Sequence, residues 1–194
     1  MSRSSRPPPF LDALTAAATA NHRANIRAVC SAASDARGTL TLYLEDPANL
    51  GHTTVVRPRS IHTIFHAPTA PLADLVSRSE LATTRIIKID VEGAEAAAVR
   101  GLLPALPHLR DDAELVVEVN PRLLAKQGEN AADIIEALRG HGFHAYTLAN
   151  DYDPAAYPRD MRRPQPPVRC VETPMHMTDL VFSRTDTERL RLGR

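Results

Sequence analysis

The segment Ile86-Ile87-Lys88-Ile89-Asp90-Val91-Glu92-Gly93-Ala94-Glu95 constrains this chain more than any other. An apolar run gives way to two carboxylates, a glycine and an alanine-rich stretch. That order is how a buried parallel strand delivers acids to the carboxyl edge of a sheet, where open α/β sheets bind their ligands. The run predicts a buried strand over 85–91. It also predicts a helix over 94–103 with Val99, Leu102 and Leu103 on its inward stripe. Lys88, inside the apolar run, is expected to be buried and held in a structural ion pair.

Other stretches extend the alternation of strand and helix. Apolar residues at helical spacing predict helices over 11–21, 71–78 and 133–139, the last ended by Gly140 and Gly142. Strands are expected over 26–32, 38–44, 114–119, 143–148 and 178–183. Leu40, Leu42 and Leu44 alternate with Thr39, Thr41 and Tyr43, which fits a half-exposed strand. Residues 45–71 read as turns with an ordered polar loop around Asn49–Thr54. Pro121 reads as a strand stop, and 150–174 as a Pro-rich, charged loop without periodicity. One α/β domain over 10–185 follows, after a disordered start (1–9) and before a charged tail (186–194).

Composition removes some classes of function. Lys+Arg and Asp+Glu both number 23, so no bulk positive charge favours nucleic acid. With no Trp and four Phe, a base-stacking platform has little to be built from. No apolar run is long enough to span a membrane. Arg3 and Arg6 before Leu11–Ala20 imitate a secretion signal, but Asp12 and three prolines argue against one. Cys30 and Cys170 form no C-x-x-C pair, so they read as two reduced, mostly buried thiols of a cytoplasmic protein. His62/His66 and His141/His144 lack a third ligand, and no metal is expected. An apolar strand ending in acids also imitates a Walker B segment, yet no G-x-x-x-x-G-K-[ST] loop exists to hold phosphates.

The run Ile87–Glu95 resembles the signature of FkbM-type methyltransferases, and weaker likenesses occur in the same order. Asn25–Asp35 resembles the family's third strand with its Ser-Asp ending, and Gly38–Tyr43 the following hairpin. Leu72–Leu75 resembles the helix before the signature, Val117–Pro121 the fifth strand, and Thr178–Phe182 the closing strand. The resemblance covers roughly residues 10–185. It implies a Rossmann-like class I methyltransferase sheet, S-adenosyl-L-methionine as cofactor, and O-methylation of a small-molecule or sugar hydroxyl. One departure matters. The family's glycine-rich loop and the acid after its second strand have no counterpart, and Arg6-Pro7-Pro8-Pro9 stands where Glu-Pro-x-Pro is expected. The first two βα units therefore look absent. Three explanations stand: a chain that begins upstream, unusual strand pairing, or a partner that fills the gap by self-association through an exposed sheet edge.

The resemblance implies roles for named residues. Asp90 and Glu92 are expected on one side of the strand, facing the cofactor's methyl end and the acceptor. Glu118 joins them as a candidate acid or base. Glu92 would otherwise cap the next helix, and Glu118 would otherwise pair with Lys88. Ser34 and Asp35 fall where the family binds adenine, though they also suit a turn. Asn49 and His52 in the polar loop, and Asn120 at a strand end, are candidate acceptor contacts. A catalytically inactive remnant that binds a partner remains the second expectation.

Overall fold

The structure, a computed structural model, describes residues 9–23, 25–46, 48, 53–150, 153 and 155–186. Among them are two sheets rather than the single sheet expected. The first holds β1 (Ala32–Ala33), β2 (Gly38–Leu44), β3 (Thr53–Thr54) and β4 (Thr63–Ala70), in the order β1-β4-β2-β3. The second holds β5 (Ile86–Ile89), β6 (Glu114–Val119), β7 (His144–Leu148), β8 (Val168–Arg169) and β9 (Thr178–Ser183), in the order β5-β6-β9-β7-β8. Only β5 and β6 run parallel in this sheet; β9 is antiparallel to both β6 and β7.

Helices α1 (Pro9–Ala20), α2 (Leu72–Leu75), α3 (Arg78–Thr83), α4 (Glu95–Leu102), α5 (Pro121–Lys126), α6 (Ala131–Arg139) and α7 (Tyr157–Arg162) complete the fold. Local chemistry sets several of their ends. Ser77 accepts from the Glu80 N–H while Glu80 accepts from the Ser77 N–H, a capping box that starts α3. The helix expected over 71–78 is thereby split, with Val76 extended between α2 and α3. Pro121 does more than stop β6. It sits at the start of α5 behind Asn120, whose side chain accepts from the Leu123 N–H. Asn130 caps α6 in the same way.

The core lies on one face of the second sheet. Leu115, Val117, Val119, Leu180 and Phe182 are fully buried and cluster with Val99 and Leu102 of α4, Leu124 of α5 and Ile134, Ile135 and Leu138 of α6. The opposite face carries Ile86, Lys88, Val116, Glu118 and Val181 and is only partly covered. Buried residues of the first sheet, such as Leu44, Ala67 and Ala70, fall outside that cluster.

Several expectations are corrected. Residues 26–31 form no strand; only Ala32 and Ala33 do, and they pair with β4. The stretch 45–71 holds the eight-residue β4, whose irregular pattern (Thr-Ile-Phe-His-Ala-Pro-Thr-Ala) hid it. The strand expected to be buried over 85–91 is the shorter edge strand β5, with Ile86 67% exposed and Lys88 also exposed. The loop expected over 150–174 contains α7 and β8. Cys30 is exposed, while Cys170 is buried; both are free thiols.

Candidate functional site at the edge of the second sheet

Strand register assembles the site. The parallel pairing of Ile89 with Val117 sets Asp90 beside Glu118, one step further on. Glu118 pairs with Asp179 of β9, and Asp179 with Leu148 of β7. Because paired residues in a sheet point to the same face, three carboxylates from three strands stand in one row at one edge. Beyond Leu148 that edge opens into a cavity of ≈ 630 Å³, lined among others by Asn150, Tyr157 and Met161. Asn150 links cavity and row, donating from Nδ2 to Asp179 Oδ2 at 2.8 Å.

The electrostatics follow from crowding of like charge. Burial raises the Glu118 carboxyl above its ordinary value, and Asp90, Asp179 and Glu92 raise it further, against a lowering pull from Lys88. Lys88 Nζ lies 2.8 Å from Asp90 Oδ2, an exposed ion pair rather than the buried one expected. That hydrogen bond holds the lysine above its usual range despite partial desolvation. Among the described residues, no three His, Cys, Asp or Glu side chains converge closely enough to hold a metal ion.

Glu92 does not follow the strand's period-two rule. It stands beyond β5 in a turn, with φ of 38°, next to Gly93 with φ of 100°. A side chain in the left-handed region is unusual outside glycine, and here the surroundings impose it. Thr54 Oγ1 donates to the Glu92 carbonyl at 2.8 Å, and the Val55 N–H donates to it at 3.4 Å. A Cβ on Gly93 would meet Val56 Cγ2 at 2.9 Å and Val55 Cγ2 at 3.3 Å, so the first sheet's β3 arm seals the turn. Glu92 does not cap α4, where no side-chain cap forms. Glu95 Oε1 accepts from the Gly93 N–H at 3.0 Å instead.

The remaining candidates lie elsewhere or are engaged. Asn120 caps α5, with its Nδ2 3.9 Å from the Met177 sulfur. Asp35 forms an ion pair with Arg100 at 2.9 Å, and Arg100 bridges to Glu129 at 2.9 Å. Ser34 abuts Gly101, where an added Cβ would lie 1.9 Å from the Ser34 carbonyl oxygen. Both therefore sit at the far end of α4, about 10 Å of helix from the turn that follows Asp90. Asn49 and His52 lie outside the described residues. Sequence reasoning missed Asp179, Asn150 and Glu95. An acid opening the strand Thr178–Ser183 was visible, but only antiparallel register places Asp179 beside Glu118.

A family model for the methyltransferase FkbM domain matches residues 5–145, well over half of the chain. The chain belongs to the FkbM methyltransferase family. The match spans the first sheet and the acidic segment, and it ends before β9, the central strand on which this FkbM domain's acidic row depends. No curated protein and no solved structure matches the chain.

Proposed function

We propose that this FkbM domain methylates a hydroxyl of a small-molecule or sugar acceptor with S-adenosyl-L-methionine, using the edge built from Asp90, Glu118 and Asp179. The observation that carries the reading is the row of three carboxylates drawn from three strands, with a cavity beside it. Asp90 and Glu118 orient the acceptor hydroxyl. Glu118, whose affinity for protons is raised by burial and then by its acidic neighbours, takes the hydroxyl proton on its carboxylate. Asn150 and the cavity wall around Tyr157 and Met161 position the acceptor, and the rate gain comes mainly from positioning. Residues 10–185 act as the unit, in the cytoplasm. Its second sheet is one wing of a Rossmann-like arrangement, with no described strand beyond β5.

The described residues fit one part of the cofactor. When bound, the cofactor supplies an electrophilic methyl group on a cationic sulfur, and a carboxylate-rich edge suits that charge. The described residues match its amino-acid and adenine portions less well. Gly93, the glycine of this edge, is packed against valine side chains rather than open as a cradle, and Asp35 is held by Arg100. Loop residues Asn49 and His52, with Asn120, are the proposed further acceptor contacts.

The open side of β5 and the exposed Ile86 favour a second reading, an inactive module that self-associates through this edge. Calorimetric titration of S-adenosyl-L-methionine into the 194-residue chain, with circular dichroism alongside, separates the two. Micromolar binding that Asp90→Asn weakens at least tenfold supports the enzyme. A folded chain that binds no cofactor and sediments as a dimer supports the module.

A further inference from the structure

Glu95 is the most buried charged residue among the described residues, 1% exposed at the first position of α4. Its Oε1 accepts from the Gly93 N–H, while Oε2 is buried with no hydrogen-bond partner among the described residues. An orphaned buried oxygen is a cost that an apolar side chain of similar size would not carry. What the carboxyl does is grip, from beneath, the turn in which two successive residues have positive φ. The opposite side of that turn is gripped by Thr54 and Val55 through the Glu92 carbonyl. Asp90 lies two residues before it.

We propose that Glu95 is a positioning residue that locks the Glu92–Gly93 turn against α4 and so fixes how Asp90 and Glu92 are presented at the sheet edge. The inference rests on the reading of that edge as the site only for its consequence in function; the lock itself stands on the turn geometry. Its carboxyl is biased towards the protonated form. Burial raises its proton affinity most, and Glu92 and Asp90 raise it further; its hydrogen bonds to the Gly93 and Glu95 N–H groups pull the other way without reversing the shift. The charged groups that act on it most are these two carboxylates. The raised proton affinity opposes adding another negative charge beside Asp90, Glu92 and Glu118. When it ionises, its repulsion of Glu92 loosens the turn.

Two-dimensional amide NMR of the full chain reads the lock directly. The Gly93 amide is expected to titrate above pH 4.5, the ordinary glutamate value, and that titration is expected to vanish in Glu95→Gln. Glu95→Gln keeps an acceptor for the Gly93 N–H, so the amides of Val55, Glu92 and Gly93 are expected to stay near their wild-type positions. Glu95→Met keeps the size and removes the acceptor, and the same three amides are expected to move. If Glu95→Met leaves them in place, or if the Gly93 titration survives in Glu95→Gln, the lock is wrong. Should Glu95→Met fail to fold, the Gly93 titration in wild type against Glu95→Gln decides alone. Cofactor titration into Glu95→Met separates the claims. Moved amides in a chain whose wild type binds no S-adenosyl-L-methionine uphold the lock and sink the methyltransferase reading. Moved amides with unchanged cofactor and acceptor binding overturn the positioning role.

Discussion

The two sheets of this FkbM domain are held together in different ways. The five-stranded sheet has its own core: one face is sealed by α4, α5 and α6, and Leu115, Val117, Leu180 and Phe182 have no exposed surface. The four-stranded sheet contributes nothing to that cluster, and Ile64 in its long strand β4 is 46% exposed. It is held by docking at a few close points instead: Ser34 against Gly101, Thr54 and Val55 on the Glu92 carbonyl, and Val55 and Val56 over Gly93. The contrast shows how stability and site are divided. The first kind of sheet can be weakened only by opening its core, whereas the second can be released by changing single contacts. The turn carrying Glu92 lies where the two meet, so the candidate site depends on both.

Leu115→Ala should give the largest effect, because it removes a fully buried side chain from the central core. A loss of about 2–5 kcal/mol is expected, read from urea unfolding, with both sheets lost together. A loss confined to one sheet would break the comparison at its root. Gly101→Ala should come next. Its Cβ would lie 1.9 Å from the Ser34 carbonyl oxygen, which is backbone and cannot swing away. A cost of about 1–3 kcal/mol is expected. Amide exchange should show protection falling in β2 and β4 while β6 and β9 keep theirs. Equal loss in both sheets would mean that the first sheet is no separate dependent unit.

The smallest effect belongs to Glu80. Its carboxyl is held at about 2 by the Ser77 N–H first, then by the hydrogen bond from Arg27 and that from the Ser77 side chain. Arg27 lies in the segment that leads to β1, so this ion pair is one more tie between the first sheet and α3. A lowered pKa means that the contribution is present above the ordinary value of 4.5 and is lost as pH falls from there through about 2. In Glu80→Gln the unfolding midpoint should therefore depend less on pH in that window than in wild type. The difference should be slight because the group is exposed to solvent. A midpoint with the same pH dependence in both proteins would remove Glu80 from the ties that hold the first sheet.

Periodicity, caps and the acid-bearing run fixed much in advance. Leu115, Val117 and Val119 alternate with Glu114, Val116 and Glu118, so β6 and its two faces are readable from spacing. The spans of β2, α6 and β9 were likewise legible, although burial along β2 does not follow its alternation. The run Ile86–Glu95 also announced its strand, its helix and its family. Three things needed the tertiary structure. Burial of Ile86 and Lys88 depends on a neighbour beyond β5, which no pattern inside the strand can specify. The shape of the Glu92–Gly93 turn depends on Thr54 and Val55, some 40 residues earlier in the chain, gripping one carbonyl. The acidic row depends on register among β5, β6 and β9, contacts between segments far apart in sequence. The sequence determined which residues are acids and, for β2, β6 and β9, which segments are strands, because those are local properties, whereas β4 and the stretch 26–31 were not legible that way. Their meeting at one edge was decided by strand pairing, which is a property of the whole fold.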